Sequence, residues 1–234
     1  MKTFKTFLAA SAFIALTATS ALAGGVGDSY GSWGNDNSSS QGSGSQIVNG
    51  QVNLQNNWSN LNGSVDTVGG DAVAQGSAAG NMIDITTMNN TKVLNNQVVG
   101  PNAAIGSNVN FDATNVWGSV GVQSQSLCNG ASVSTDPILT QVNSTQKCSA
   151  ADPWSAINSN VSNVAGNATF MGSSIGNSFE ADSNAPNMPI MTKQINNSGV
   201  VSNVNANVFN VAGSVGMSSS AIGNTSQIIH YNTN

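Results

Sequence analysis

The sequence predicts an all-β chain: a β-solenoid (β-helix-like) of four repeats, each ~48 residues long. Three observations carry that reading. A glycine that follows a Val-containing corner recurs at Gly70, Gly118, Gly166 and Gly213, and an asparagine recurs at Asn81, Asn129, Asn177 and Asn224. Both series step by 48, 48 and 47 residues. The segments around the corner alternate apolar or small residues with Asn, Ser, Gly and Asp, the period-2 signature of strands. Only 6% of the 234 residues are charged, against ~25% in ordinary globular domains. Few charges and many small or amide side chains suit layers stacked on copies of themselves, where repeated like charges would repel.

From the start of the chain, residues 1–23 read as a secretory signal peptide. Lys2 and Lys5 give a positive n-region, Phe7 to Leu16 an apolar run, and Ala21-Leu22-Ala23 a cleavage site. The run is far short of the ~20 residues a membrane helix needs, so no membrane insertion is expected and the location is extracellular or the cell surface. Residues 24–46 form a Gly/Ser/Asn tract with too little apolar surface to offset its ordering entropy, and are expected to be a flexible tail. The repeat domain then covers 47–234. Without the leader the chain keeps three lysines, no arginine and ten acidic residues, a formal charge of −7. That balance excludes nucleic acid and anionic membrane surfaces as partners, since both are bound through Lys and Arg.

Within each repeat, alternate residues before the corner are apolar or small: Leu61, Gly63, Val65; Val109, Phe111, Ala113; Ile157, Ser159, Val161; Val204, Ala206, Val208. After the corner the phase moves by one residue, to Val68, Ala72, Ala74 and their equivalents. The slip falls at the same place in all four copies, which indicates a built-in corner or bulge. Thr67, Asn115, Asn163 and Asn210 occupy that corner. Stacked, they form a ladder of hydrogen-bonding side chains; the competing explanation is simple turn preference. The strand after the corner is expected to end at the following Gly-Asn, a turn signal.

The other half of each repeat is less regular. Gln51-Val52-Asn53-Leu54, Thr91-Lys92-Val93-Leu94, Thr140-Gln141-Val142-Asn143 and Thr192-Lys193-Gln194-Ile195 read as its strand segments, at variable distance from the next corner. Each repeat is therefore either one large coil or two rungs of ~24 residues. Two rungs per repeat would give seven or eight layers at ~4.8 Å spacing, a body ~35 Å long.

Cys128 and Cys148 are the only cysteines. In an exported protein such a pair forms a disulfide, expected here to pin the loop 131–147 beside the coil. No C-x-x-C spacing or further ligand set suggests a metal or redox role, and no cofactor is expected. His230 is the sole histidine and reads as a terminal strand residue. Glu180 is the sole glutamate; with Asp182 it falls in a variable loop, and no paired-carboxylate spacing emerges. The chain therefore reads as a non-enzyme. Trp58, Trp117 and Trp154 are weighed as a glycan-stacking platform against ordinary packing, which their different repeat positions favour.

With its leader, its Gly-rich segment Gly24–Gln46 and its Val/Ala-Gly-Asn repeats such as Ser173-Ser174-Ile175-Gly176-Asn177-Ser178, the chain resembles secreted bacterial functional amyloids, the curlins and related biofilm-fibre subunits, and holdfast-attachment surface proteins. Its units are longer than curlin repeats and are interrupted by Pro137, Pro153, Pro186 and Pro189, and the cysteine pair is foreign to curlins. The resemblance implies an extracellular fibre or adhesive role. The functions that follow are a subunit or anchor of an extracellular fibre or attachment (biofilm) layer, self-associating end to end or docking on a related surface nucleator. A monomeric adhesin or glycan-binding solenoid is the second reading, and a solenoid carbohydrate-active enzyme the third.

Overall fold

The computed structural model describes residues 45–87, 91–135, 140–183 and 189–230. The leader and all but the last two residues of the proposed tail lie outside them. Twelve strands follow one another: β1 (Ser45–Asn53), β2 (Asn57–Val68), β3 (Ala72–Thr87), β4 (Thr91–Val99), β5 (Ala104–Val116), β6 (Val120–Thr135), β7 (Thr140–Cys148), β8 (Ala151–Val164), β9 (Ala168–Ser183), β10 (Ile190–Asn196), β11 (Val201–Val211) and β12 (Val215–His230). Each pairs in parallel with the strand three places further along. The result is three four-stranded sheets, β1-β4-β7-β10, β2-β5-β8-β11 and β3-β6-β9-β12.

One repeat is therefore one coil of three strands, and the described chain makes four coils. Two rungs per repeat, and with them seven or eight layers, do not occur. At ~4.8 Å per step the first and last rungs lie about 14 Å apart.

The coil is large because its third strand is long. Strands β3, β6, β9 and β12 each run 16 residues, and their first halves face the second sheet while their second halves face the first. The first and second sheets do not pair with each other; they meet at their ends, where Val99 and Ile105 pack with Ala78 and Cys128. The apolar interior divides accordingly. One cluster joins Val109, Ile157 and Phe170 between the second and third sheets; another joins Val93, Val133 and Phe179 between the first and third. Burying each such side chain contributes roughly 1.5–3 kcal/mol.

A single alternating strand can serve two opposing sheets only if something adjusts its faces midway. Ala72, Ala74 and Ala78 point inward before Gly80, and Asn81, Ile85 and Thr87 after it. The pairing omits one residue here in every rung, passing from Ala79↔Leu127 to Asn81↔Asn129 and from Leu127↔Ile175 to Asn129↔Asn177. The Gly-Asn dipeptide, expected to end the strand, instead marks a slip of the alternation inside it, with the register between neighbouring rungs unchanged.

The corner has an equally local cause. Thr67, Asn115, Asn163 and Asn210 adopt φ of 57°, 56°, 54° and 53°. This left-handed conformation is tolerated by Asn through its short polar side chain and disfavoured for other L-residues. One residue in that conformation takes up the phase slip, so Ala113 and Val116 both face the core.

Candidate functional site

The corner residues are stacked, and three of the four form a ladder. Asn163 Nδ2 donates to Asn115 Oδ1 at 2.9 Å and Asn210 Nδ2 to Asn163 Oδ1 at 2.8 Å. At the first rung the column departs from the expected pattern: Asn115 Nδ2 donates to Asp66 Oδ1, and the Thr67 hydroxyl also bonds Asp66. Thr67 shares the corner conformation but not the ladder. Ladder and turn preference, set against each other in the sequence, are thus both satisfied by Asn115, Asn163 and Asn210.

Beside this column the repeat glycines stack backbone on backbone. Gly118 N donates to Gly70 O, Gly166 N to Gly118 O and Gly213 N to Gly166 O, at 3.1, 2.8 and 3.0 Å. A Cβ on Gly118 would lie 2.6 Å from the Gly70 carbonyl carbon, and one on Gly166 would lie 2.6 Å from Gly118 O. The glycines are required by this approach of one rung to the rung before it. Gly70, in the first rung, has nothing within 4 Å of that position.

Two buried ladders run through the interior, neither of them anticipated as such from the sequence. Gln194, Gln146 and Gln97 each donate through Nε2 to the Oε1 of the glutamine one rung earlier, ending at Gln51, at 2.9, 2.9 and 2.8 Å. In the opposite sense Asn81, Asn129 and Asn177 each donate through Nδ2 to the next Oδ1, ending at Asn224, at 2.9, 2.8 and 2.7 Å. The two ladders clasp across the coil. The glutamine amides also donate to Met82 O, Gly130 O, Ser178 O and Thr225 O, each the residue after a ladder asparagine. Asn81 and Asn177 return bonds to Val98 O and Ile195 O, each the residue after a ladder glutamine. Gln97, Gln146, Asn129 and Asn177 have no solvent exposure, and the doubled bonding meets the requirement that buried amides be paired.

The asparagine ladder had a visible signal, its constant period. The glutamine ladder was hidden because its spacings of 46, 49 and 48 absorb variable connections, chiefly those between the first and second strands of each coil. The structural register sets Gln51 opposite Gln97, and Thr192 opposite Ser144, so Thr91, Thr140 and Thr192 are not all equivalent.

Cys128 and Cys148 are joined by a disulfide and are fully buried. Residues 131–135 and 140–147 are strand rather than loop, so the bridge ties β6 to the end of β7, third sheet to first, between consecutive rungs. Glu180 and Asp182 likewise lie in β9, not in a loop, and His230 ends β12. Among the described residues no group of three or more His, Cys, Asp or Glu is placed to hold a metal, and no helix is long and apolar enough to cross a membrane. Trp117 projects outward at 74% exposure and Trp58 at 68%. Trp58 and Trp154 share one column through Gly106, contrary to the expectation of different repeat positions. The indole of Trp154 occupies the space a Cβ at Gly106 would need.

The end rungs differ from the inner pair. Val109, Ala113 and Val116 are at most 1% exposed, while Leu61, Val65 and Val68, one rung earlier, are only partly buried. At the other end Val215 and Met217, which continue the columns of Ala168 and Phe170, are exposed. Among the described residues the end rungs thus present strand edges with no further strand beside them, over half-covered apolar columns. A scan against protein-family models and searches of curated proteins and of solved structures found no match to this chain.

Proposed function

We propose that the protein is a secreted structural or adhesive component, a subunit or anchor of an extracellular fibre or cell-surface attachment layer. The observation that carries this reading is the exposure of core-phase residues such as Val215 and Met217 on the last rung, beneath which every rung is joined to the next by backbone and side-chain ladders. An open rung is a template for another strand. Solenoids that stay monomeric need terminal repeats with a polar outer face. The disulfide between rungs suits an oxidising, extracellular setting. Electron microscopy and sedimentation of the purified protein test the reading. Filaments or ordered assemblies are expected, and a chain that stays monomeric for days at high concentration contradicts it.

A second reading is favoured by Trp58 and Trp117, both largely exposed: an adhesin that stacks sugar rings on its indoles. Glycan-array binding by a protein that forms no filaments, lost on Trp117→Ala, would favour it over the fibre. Among the described residues no metal-holding cluster favours the enzymatic reading.

A further inference from the structure

We propose that the occupant of each open end is a second copy of this chain, docked head to tail so that its first rung continues the last rung of its neighbour in register. The inference rests on the fibre reading and specifies its contact.

The two ends are complementary atom by atom. A ladder of amides is directed, so one end keeps a donor and the other an acceptor, whichever way it runs. In the glutamine column Gln97, Gln146 and Gln194 each use Nε2 twice, whereas Gln51 uses it only toward Met82 O. Gln51 therefore holds a spare donor on the first rung, and Gln194 Oε1 on the last rung accepts nothing among the described residues. The asparagine column runs the opposite way, so Asn81 Oδ1 is the open acceptor and Asn224 Nδ2 the open donor. The corner follows suit, with Gly213 O and Gly70 N at its two ends. Asp71, Ser119 and Asn167 each accept, through a side-chain oxygen, the backbone N–H one rung further on: that of Ser119, Asn167 and Ser214 respectively. Ser214 Oγ is left to receive Asp71 N.

The apolar columns fit as well. Ala72, Val120, Ala168 and Val215 stack in one column, alternating small and larger, and a further Ala72 over Val215 continues the alternation. Gly63 accommodates Phe111 on its inner side. Two identical first rungs laid column on column would set donor against donor in the glutamine ladder and acceptor against acceptor in the asparagine ladder. Complementary ends give a heterologous contact that propagates instead of closing.

Two glycines report on the contact without disturbing the fold. A Cβ on Gly70 meets nothing within 4 Å, although the equivalent Cβ on Gly118 and Gly166 strikes the preceding rung. At the other end, a Cβ on Gly80 would lie 2.5 Å from Cys128 O of the following rung and one on Gly176 would strike Gly223 O. Gly223 itself meets only Asn196 Nδ2, at 3.3 Å. Gly70→Val therefore places a side chain in the path of a copy at the first rung and Gly223→Val at the last, each from a Cβ position that is open or nearly open in the monomer.

The test compares full-chain wild type, each variant and an equimolar mixture of the two, by sedimentation and electron microscopy, with thermal melting and circular dichroism confirming that the folds match. Long assemblies are expected from wild type, monomers from each variant alone, and dimers that grow no further from the mixture. A folded Gly70→Val or Gly223→Val protein that assembles like wild type overturns the head-to-tail contact and leaves the fibre reading standing. So does a mixture that stays monomeric. Wild type that never assembles removes both.

Discussion

The inner ladders and the corner ladder are built from the same chemistry, amides stacked one rung apart, yet they sit in opposite surroundings. Gln146 and Asn129 are sealed from water, and the Gln146 amide donates both to its ladder neighbour and to the carbonyl across the coil. Asn163 is exposed; it donates along its ladder and holds a left-handed backbone. An exposed amide that loses its partner turns to water, while a buried one does not. The difference teaches that ladder geometry alone does not determine what a ladder contributes. Burial makes the inner ladders a condition of folding and makes the corner mainly a matter of backbone conformation.

The largest expected effect breaks the inner side of that comparison. Gln146→Leu removes the ladder donor of Gln97 Oε1 and the side-chain donor of Ser178 O, and leaves the Gln194 amide only its bond to Thr225 O. At about 1–3 kcal/mol for each buried unsatisfied group, a loss of roughly 3–6 kcal/mol is expected in chemical denaturation. Replacing Cys128 and Cys148 together by Ala comes next. The bridge closes a separation of 20 residues, and its removal is expected to cost about 3 kcal/mol, seen as a lower melting temperature that reductant does not lower further.

The corner is sharpened by a pair of variants. Asn163→Leu should cost about 2 kcal/mol, because a bulky residue is held in a left-handed conformation. Asn163→Gly keeps the conformation and loses only an exposed side-chain bond, so its cost should stay below about 1 kcal/mol. Equal losses for the two would assign the corner to its ladder after all. The smallest effect is a gain. Thr67 is β-branched at φ 57° and outside the amide ladder, so Thr67→Asn should raise stability by about 1 kcal/mol in the same assay.

The sequence disclosed the features that repeat at constant spacing. The corner glycines, the phase slip and the asparagine column all lie on the 21-residue stretch from Thr67 to Thr87 and its copies, where no connection varies. The register of the first sheet was illegible for a physical reason. Connections 54–56, 100–103, 149–150 and 197–200 differ in length, as do 88–90 and 136–139, so Gln51, Gln97, Gln146 and Gln194 drift out of period although they stack in space. The Gly-Asn slip reads as a turn in the sequence because glycine and asparagine also favour turns. What separates the two is the alternation that resumes beyond it, in Asn81, Ile83, Ile85 and Thr87. The outer contacts of the end rungs, and with them any partner, have no local signature, since the end residues follow the same pattern as their buried equivalents.

The central claim is that one coil takes a whole repeat, so that residues about 48 apart are neighbours and residues 24 apart are not. Nitroxide labels on Asn60 and Asn108, adjacent in the second sheet, test it most directly against labels on Asn60 and Asp84. At one rung spacing, ~4.8 Å between backbones, the first pair should give the strong spectral broadening of spins in contact, and the second pair none. Broadening in the 60/84 pair, or its absence in the 60/108 pair, would contradict the four-coil column.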